Sequence, residues 1–263
     1  MMTLLFLGDV VGEPGRLALY RALPELRAEF GADAVIVNGE NAAGGKGITP
    51  KIAQEFLAHG VDVVTLGDHV WDQQDLVPWI GGEPRVLRPF NLQPSTPGQG
   101  SYILETPSGK LGVLCLMGRT FMRPGPENPF TRGKEEVQRL RKAGACAVLV
   151  EMHGEATSEK IAMGWHLDGL AAAVIGTHTH VQTADARILP HGTAFMTDAG
   201  MCGSRDGVIG REVESVLLGC TTDMPCKYPV AGWPARLSGA VVRIDTSTGC
   251  AVEITPINRD YDR

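Results

Sequence analysis

What most constrains this chain is a rhythm. A short apolar run is followed by a Gly-rich or polar turn, then a helical stretch, then another apolar run. Thr3 to Leu7, Ala34 to Val37, Val61 to Leu66, Gly112 to Met117, Ala147 to Met152, Ala172 to Ile175 and Ala194 to Met196 read as strands. Leu17, Tyr20, Leu23 and Leu26 predict a helix face after the first of them, with Pro24 kinking or restarting it. Thr49-Pro50 predicts a helix start, with Thr as N-cap and Pro in the first turn. Ile52, Ala53, Phe56 and Leu57 carry the helical period, and Gly60 closes it. Glu135 to Ala143 predicts a further helix. The tail differs, because Gly239 to Thr246 and Cys250 to Ile257 flank Ser247-Thr248-Gly249 as a β-hairpin would. Alternation ending in a hairpin predicts a layered α/β domain with a mixed sheet, and 263 residues suit one domain spanning residues 1–263.

Composition narrows the partners. With 43% hydrophobic and 21% charged residues, the chain can bury a sizeable core. Thirty acids against 24 bases give a net charge of -6, and no dense Lys/Arg run occurs, so no large nucleic-acid surface is expected. No run of 18 apolar residues is present, so no membrane span is expected. The start, Met1 to Asp9, lacks a basic n-region and reads as a first strand, not a signal peptide. The six cysteines form no C-x-x-C pair, and Cys115 and Cys146 sit in apolar runs as small core residues. A reducing cytoplasm fits this usage.

The informative pattern lies just after each strand. Gly8-Asp9 follows the first, Asn38-Gly39-Glu40-Asn41 the second, and Gly67-Asp68-His69 the third. His153 closes Glu151-Met152-His153-Gly154, and Gly176-Thr177-His178-Thr179-His180 follows the next run. In an open α/β sheet the carboxyl ends of parallel strands share one edge, where ligands collect. Imidazole and carboxylate together suit borderline transition metals such as Fe, Mn, Zn or Ni. Eight candidate side chains exceed one ion's needs and match two ions roughly 3.5–4 Å apart, bridged by a carboxylate and a hydroxide. Cysteine is absent from every strand end, which argues against a structural zinc site.

His59, His166 and His191 fall outside this pattern and are expected to be bystanders, His59 near a helix C-terminus where a cation favours the dipole. Gly44-Gly45-Lys46-Gly47 and Asp198 to Gly203 are Gly-rich loops that could approach a phosphate through backbone N–H groups, although neither is a Walker A or dinucleotide fingerprint. Thr221 to Pro234, with Tyr228 and Trp233, reads either as a wall or lid over the site or as a packed surface loop.

At these residues the sequence resembles the calcineurin-like metallophosphoesterases. The resemblance is nearest to the YmdB-like 2′,3′-cyclic-nucleotide phosphodiesterases, through Gly8-Asp9-Val10-Val11-Gly12, Asn38 to Gly47, Leu66-Gly67-Asp68-His69-Val70-Trp71-Asp72 and Gly176 to Asp185. It covers nearly the whole chain. It implies a layered α/β fold with mixed β-sheets sandwiched by helices and a centre of two transition-metal ions, Fe or Mn. One ion would take Asp9, Glu40, Asn41 and His180, and the other Glu40, Asp68, His153 and His178, with Glu40 bridging. Val11 stands where many superfamily members carry a second metal-binding His, and Glu40 where many carry an Asp, both features of this branch. Asp68 departs from the usual Asn of Gly-Asn-His.

The resemblance thus implies hydrolysis of a small phosphodiester, a 2′,3′-cyclic nucleotide first of all, by a hydroxide shared between the ions. His69 would protonate the leaving alkoxide. Rival readings on the same centre are a phosphomonoesterase and a 3′,5′-cyclic-nucleotide phosphodiesterase. A nucleotide-sensing regulator with vestigial activity and a metal-storage protein belong to other classes, and the intact His69 with a full ligand set weighs against dead chemistry. The family also makes a homo-oligomer an expectation, although no interface is legible in the sequence.

Overall fold

The computed structural model of the protein describes residues 1–123, 125–222 and 224–263. Its strands form two sheets, as the family resemblance implies, where the alternation alone predicts a single mixed sheet. In the first, Met2–Leu7, Ala34–Asn38, Val63–Thr65 and Val86–Leu87 run parallel in that order. Ala235–Asp245 lies antiparallel to Met2–Leu7 on the other side and pairs in turn with Cys250–Tyr261, so the expected hairpin closes back onto the first strand. The second sheet holds Ser101–Thr106, Gly109–Met117, Ala147–His153, Ala173–Thr177, Ala194–Met196 and Arg187–Ile188, with the middle four strands parallel.

Side-chain alternation explains why two sheets form. Successive strand residues point to opposite faces. Leu4 and Phe6 of the first strand meet Val113, Cys115, Leu149 and Ile175 from the second sheet in one apolar layer. Leu5 and Leu7, one step away, pack instead against Leu19, Leu23 and Leu26 of the helix Gly12–Phe30. In the second sheet Leu114, Leu116, Val148 and Val150 face Val137 and Leu140 of the helix Pro129–Lys142. The order of layers is helix, sheet, sheet, helix. The central strands are buried on both faces and largely apolar, which is why they read in sequence as apolar runs.

The helices hold two corrections. Pro24 does not start a second helix, because Gly12–Phe30 is one helix with Pro24 inside. Its buried stripe is Ala18, Leu19, Ala22, Leu23 and Leu26, whereas Leu17 is exposed. Thr49 does cap the helix Pro50–Ala58, accepting from the Ile52 N–H at 3.3 Å, and Gly60 follows with φ 98°. Among the elements with no clear sequence signal are Ser101–Thr106, the helix Thr157–His166 and the helix Val213–Thr222. Cys115 is a core residue as expected, Cys146 is only half-buried, and all six cysteines are free. No helix is long and apolar enough to cross a membrane among the described residues.

Candidate metal centre

Five strand ends do deliver their polar residues to one place, but they come from both sheets. Asp9, Glu40, Asn41, Asp68 and His69 follow strands of the first sheet, while His153, His178 and His180 come from the second. Among the described residues Glu40, Asp68, His153 and His178 offer four ligand atoms that lie within 4.8 Å of one another, a cluster that could hold a metal ion. His153 Nε2 is 3.2 Å from Glu40 Oε1, 3.1 Å from Asp68 Oδ1 and 3.0 Å from His178 Nδ1.

Hydrogen bonds behind the rings set which nitrogens face the cluster. The Thr177 hydroxyl donates to Glu151 Oε1 at 2.7 Å, so it accepts from His153 Nδ1–H at 2.9 Å and leaves the Nε2 lone pair inward. His178 Nε2 lies 3.2 Å from Glu155 Oε2, and its Nδ1 is the nitrogen that faces His153 Nε2 at 3.0 Å. His180 Nδ1–H donates to the Ile209 carbonyl at 3.1 Å, leaving Nε2 facing Asn41 Oδ1 at 3.1 Å. Asn41 Nδ2 donates to the Gly45 carbonyl at 3.4 Å, which fixes that amide's orientation. The lone pairs of His180 Nε2 and Asn41 Oδ1 therefore point at each other, and His153 Nε2 presents its own to the cluster. Acceptors facing acceptors call for a cation between them.

Further observations fit a metal. Asp9 is fully buried, its Oδ2 accepts from the His178 N–H at 3.2 Å, and its Oδ1 has no hydrogen-bond partner among the described residues. Burial pushes the Asp9 carboxyl up to about 7, the signature of an anion without enough positive charge beside it. Burial also acts on His153, lowering it, but the carboxylates of Glu40, Asp68 and Asp9 prevail and hold the imidazole well above its ordinary range. The cluster thus favours a positive charge at its centre. Burial holds His180 below its ordinary range, in the neutral form a ligand needs. Gly67 approaches so closely that a Cβ there would overlap Glu40 Oε2 and His153 Nε2.

The backbone is shaped for this purpose. His178 and His180 both have positive φ, 97° and 65°, a conformation that non-glycine residues avoid and that concentrates at functional sites. Thr177 ends its strand, and these two left-handed residues turn the chain so that His178 and His180 face different partners.

His69 stands at the edge of the group. Its backbone N–H donates to Glu40 Oε2 at 3.3 Å, and its Nδ1 lies 2.8 Å from Asp72 Oδ2. With Nδ1–H given to Asp72, Nε2 is the nitrogen left to exchange a proton. The three histidines expected to be bystanders are elsewhere: His59 stacks on Tyr20, His166 bonds the Phe130 carbonyl and His191 pairs with Asp168.

Several supporting residues were not singled out from sequence. Glu151 offered a signal, a lone acid within the apolar run Ala147–His153. Asp72 sat inside a quoted motif without a role. Glu155, Lys160 and Thr177 gave no local sign, since their partners are distant in sequence. In the two Gly-rich loops Arg211 caps the Gly44 and Gly45 carbonyls, and Asp198 binds Lys160 and Thr179. In the stretch expected to wall the site, Tyr228 lines a cavity beside it with Ile209, whereas Asp223 lies outside the described residues.

Known proteins are similar to this chain over nearly their full length. A Bacillus subtilis (strain 168) protein named 2′,3′-cyclic-nucleotide 2′-phosphodiesterase is 43% identical over 256 residues, covering 97% of this chain and 96% of its own. A crystal structure described as a novel phosphatase from Mycoplasma pneumoniae superposes with a TM-score of 0.92 at 34% identity, covering 99% of this chain and 94% of its own. A hypothetical protein from Thermus thermophilus superposes with a TM-score of 0.91 at 41% identity, covering 98% of this chain and 99% of its own. The YmdB-like protein family matches residues 5–257, and this chain, with its metal-binding cluster at the meeting of two sheets, belongs to that family.

Proposed function

We propose that residues 1–263 act as one domain, a dinuclear metal-dependent phosphodiesterase whose first substrates are 2′,3′-cyclic nucleotides. The observation that carries this reading is the pairing of a ligand-rich cluster with an adjacent, non-ligating His69. The named activity of the Bacillus subtilis relative supports the substrate class.

One ion would be held by Glu40, Asp68, His153 and His178, and a second by Asp9, Glu40, Asn41 and His180. When bound, such ions acidify a water and stabilise charge on the phosphoryl oxygens. The remaining work falls to this chain's own residues. Glu151 and Thr177 hold the His153 ring in one tautomer, and the Glu155 carboxylate lies beside the outer nitrogen of His178. Asp72 orients His69 through Nδ1, so that Nε2 delivers a proton to the departing ribose oxygen. Opening a strained five-membered ring to a monoester needs that proton, because an alkoxide leaves poorly without it.

Iron and manganese both suit the mixed imidazole and carboxylate set. Elemental analysis after gentle metal loading should approach two ions per chain, and a panel of 2′,3′-cyclic, 3′,5′-cyclic and monoester nucleotides should show fastest turnover on the 2′,3′-cyclic members. Saturation at one ion, or preference for monoesters, would overturn the reading.

A further inference from the structure

Beside the metal-binding cluster lies a cavity of about 550 Å³ whose walls include Val208, Ile209, Val216 and Tyr228, with Lys46 and Arg211 at its edge. Three hydrogen-bonded links join it to the centre. The Ile209 carbonyl accepts from His180 Nδ1. Arg211 Nη2 donates to the Gly45 carbonyl at 2.5 Å, the same oxygen that accepts from Asn41 Nδ2. Lys46 offers its carbonyl to Gln73 at 2.8 Å, in the segment that also carries Asp72, the partner of His69. The cavity therefore adjoins the centre through the segments that hold Asn41 and His180.

Its shape is held by backbone. Val208 and Arg211 exchange hydrogen bonds at 2.8 and 2.9 Å, closing a tight loop in which Ile209 has φ 45°. The Glu212 N–H donates to the Pro229 carbonyl and the Ala231 N–H to the Gly210 carbonyl, so the Tyr228 segment is laid along this loop. Arg211 also donates to the Tyr228 carbonyl at 3.1 Å. Its partners among the described residues are all neutral carbonyls, so its charge is not offset by a bonded carboxylate.

We infer that this cavity is a base-binding subsite: it takes the nucleobase of a nucleotide whose phosphodiester lies at the metal centre. This rests on the phosphodiesterase reading and adds to it what the enzyme holds besides phosphate. Branched aliphatic walls and a tyrosine ring suit a flat, weakly polar ring system, which gains from stacking irrespective of sequence. Cations at the edge draw an anionic ligand and favour contact with a π face. The volume falls within the range of small-molecule sites and exceeds what a phosphate alone would need.

The test uses the manganese-loaded protein and two substrates, adenosine 2′,3′-cyclic phosphate and the baseless 1-O-methylribose 2′,3′-cyclic phosphate. Val216→Trp fills the cavity and Tyr228→Ala removes its aromatic wall. Each should lower the ratio of kcat/KM for the nucleotide over the baseless ester by about tenfold, chiefly through KM. A ratio unchanged in either variant overturns the subsite, and so does faster wild-type turnover of a glycerophosphodiester than of any nucleotide. Should the wild type hydrolyse no phosphodiester at all, the phosphodiesterase reading fails, yet the subsite remains open to test. Calorimetric binding of adenosine 3′-monophosphate should then be about tenfold weaker in Val216→Trp, and equal binding overturns it.

Discussion

Lys160 Nζ donates to Asp198 Oδ2 at 2.7 Å, and both side chains are fully buried. The same ammonium donates to the Thr177 carbonyl at 3.1 Å, and the same carboxylate oxygen accepts from the Thr179 N–H and hydroxyl at 3.1 and 2.7 Å. The ion pair therefore grips the backbone on both sides of His178, the residue with φ 97°. A strained residue persists only where its surroundings over-determine it, and this pair is that constraint. Removing one partner should cost about 3–5 kcal/mol, because the other charge is left buried and unpaired. Lys160→Met should show that loss in denaturant unfolding, and Lys160→Met with Asp198→Asn should recover much of it. Both variants should bind metal about 10–100-fold more weakly, since His178 is no longer held. Restored stability with restored metal affinity in the double variant would refute the positioning role.

His69→Ala should retain metal but lose turnover by about 10²–10⁴-fold on substrates with an alkoxide leaving group. The loss should shrink for a nitrophenyl ester, whose leaving group needs no proton. Asp72→Asn should give a smaller loss with the same dependence on leaving group, because the amide still contacts Nδ1. Equal losses on both substrate types would assign His69 to positioning instead.

Asp68 Oδ1 sits 3.1 Å from His153 Nε2 and 3.3 Å from His178 Nδ1. Burial raises the Asp68 carboxyl, but the two imidazoles outweigh it and hold the group well below the usual range. Asp68 therefore stays anionic, whereas an asparagine at this position would be neutral. Asp68→Asn should bind metal more weakly yet, once saturated, hydrolyse anionic phosphodiesters at least as fast, since the centre keeps one more positive charge. Slower turnover at saturation would show that Asp68 has another role, such as placing His69.

Gly67→Ala should abolish tight metal binding while leaving the fold intact. The added methyl would overlap Glu40 Oε2 and His153 Nε2 and drive both from the cluster. Metal content by elemental analysis, read beside an unchanged far-UV spectrum, checks this.

Away from the centre, burial raises the Asp185 carboxyl, but hydrogen bonds from the Thr197 hydroxyl, the Thr183 hydroxyl and the Thr197 N–H outweigh it and hold the group below the usual carboxylate range. A depressed carboxylate contributes stability that is present above its unfolded value and lost as pH falls through the folded one. The acid limb of stability below about pH 4 should therefore flatten in Asp185→Asn, as read from unfolding midpoints between about pH 6 and pH 2.5. An unchanged slope would sink the assignment.

The sequence by itself determined the elements and their polar ends. Apolar runs broken by Gly-Asp, Gly-Glu-Asn, Gly-Asp-His and His-x-His are local features, and a parallel strand delivers whatever follows it to its carboxyl edge. Asp9, Glu40, Asn41, Asp68, His69, His153, His178 and His180 were all legible in this way. Only the tertiary structure decided that these ends belong to two sheets laid face to face. A strand buried on both faces shows no alternation, so nothing in its sequence says whether a helix or another sheet lies against it. The same holds for what supports the centre. The Lys160–Asp198 pair, the Glu151–Thr177–His153 relay and the contact of Glu155 with His178 join residues distant in the chain. Burial and partnership belong to packing, and a lysine on a short helix looks the same in sequence whether it meets water or an aspartate.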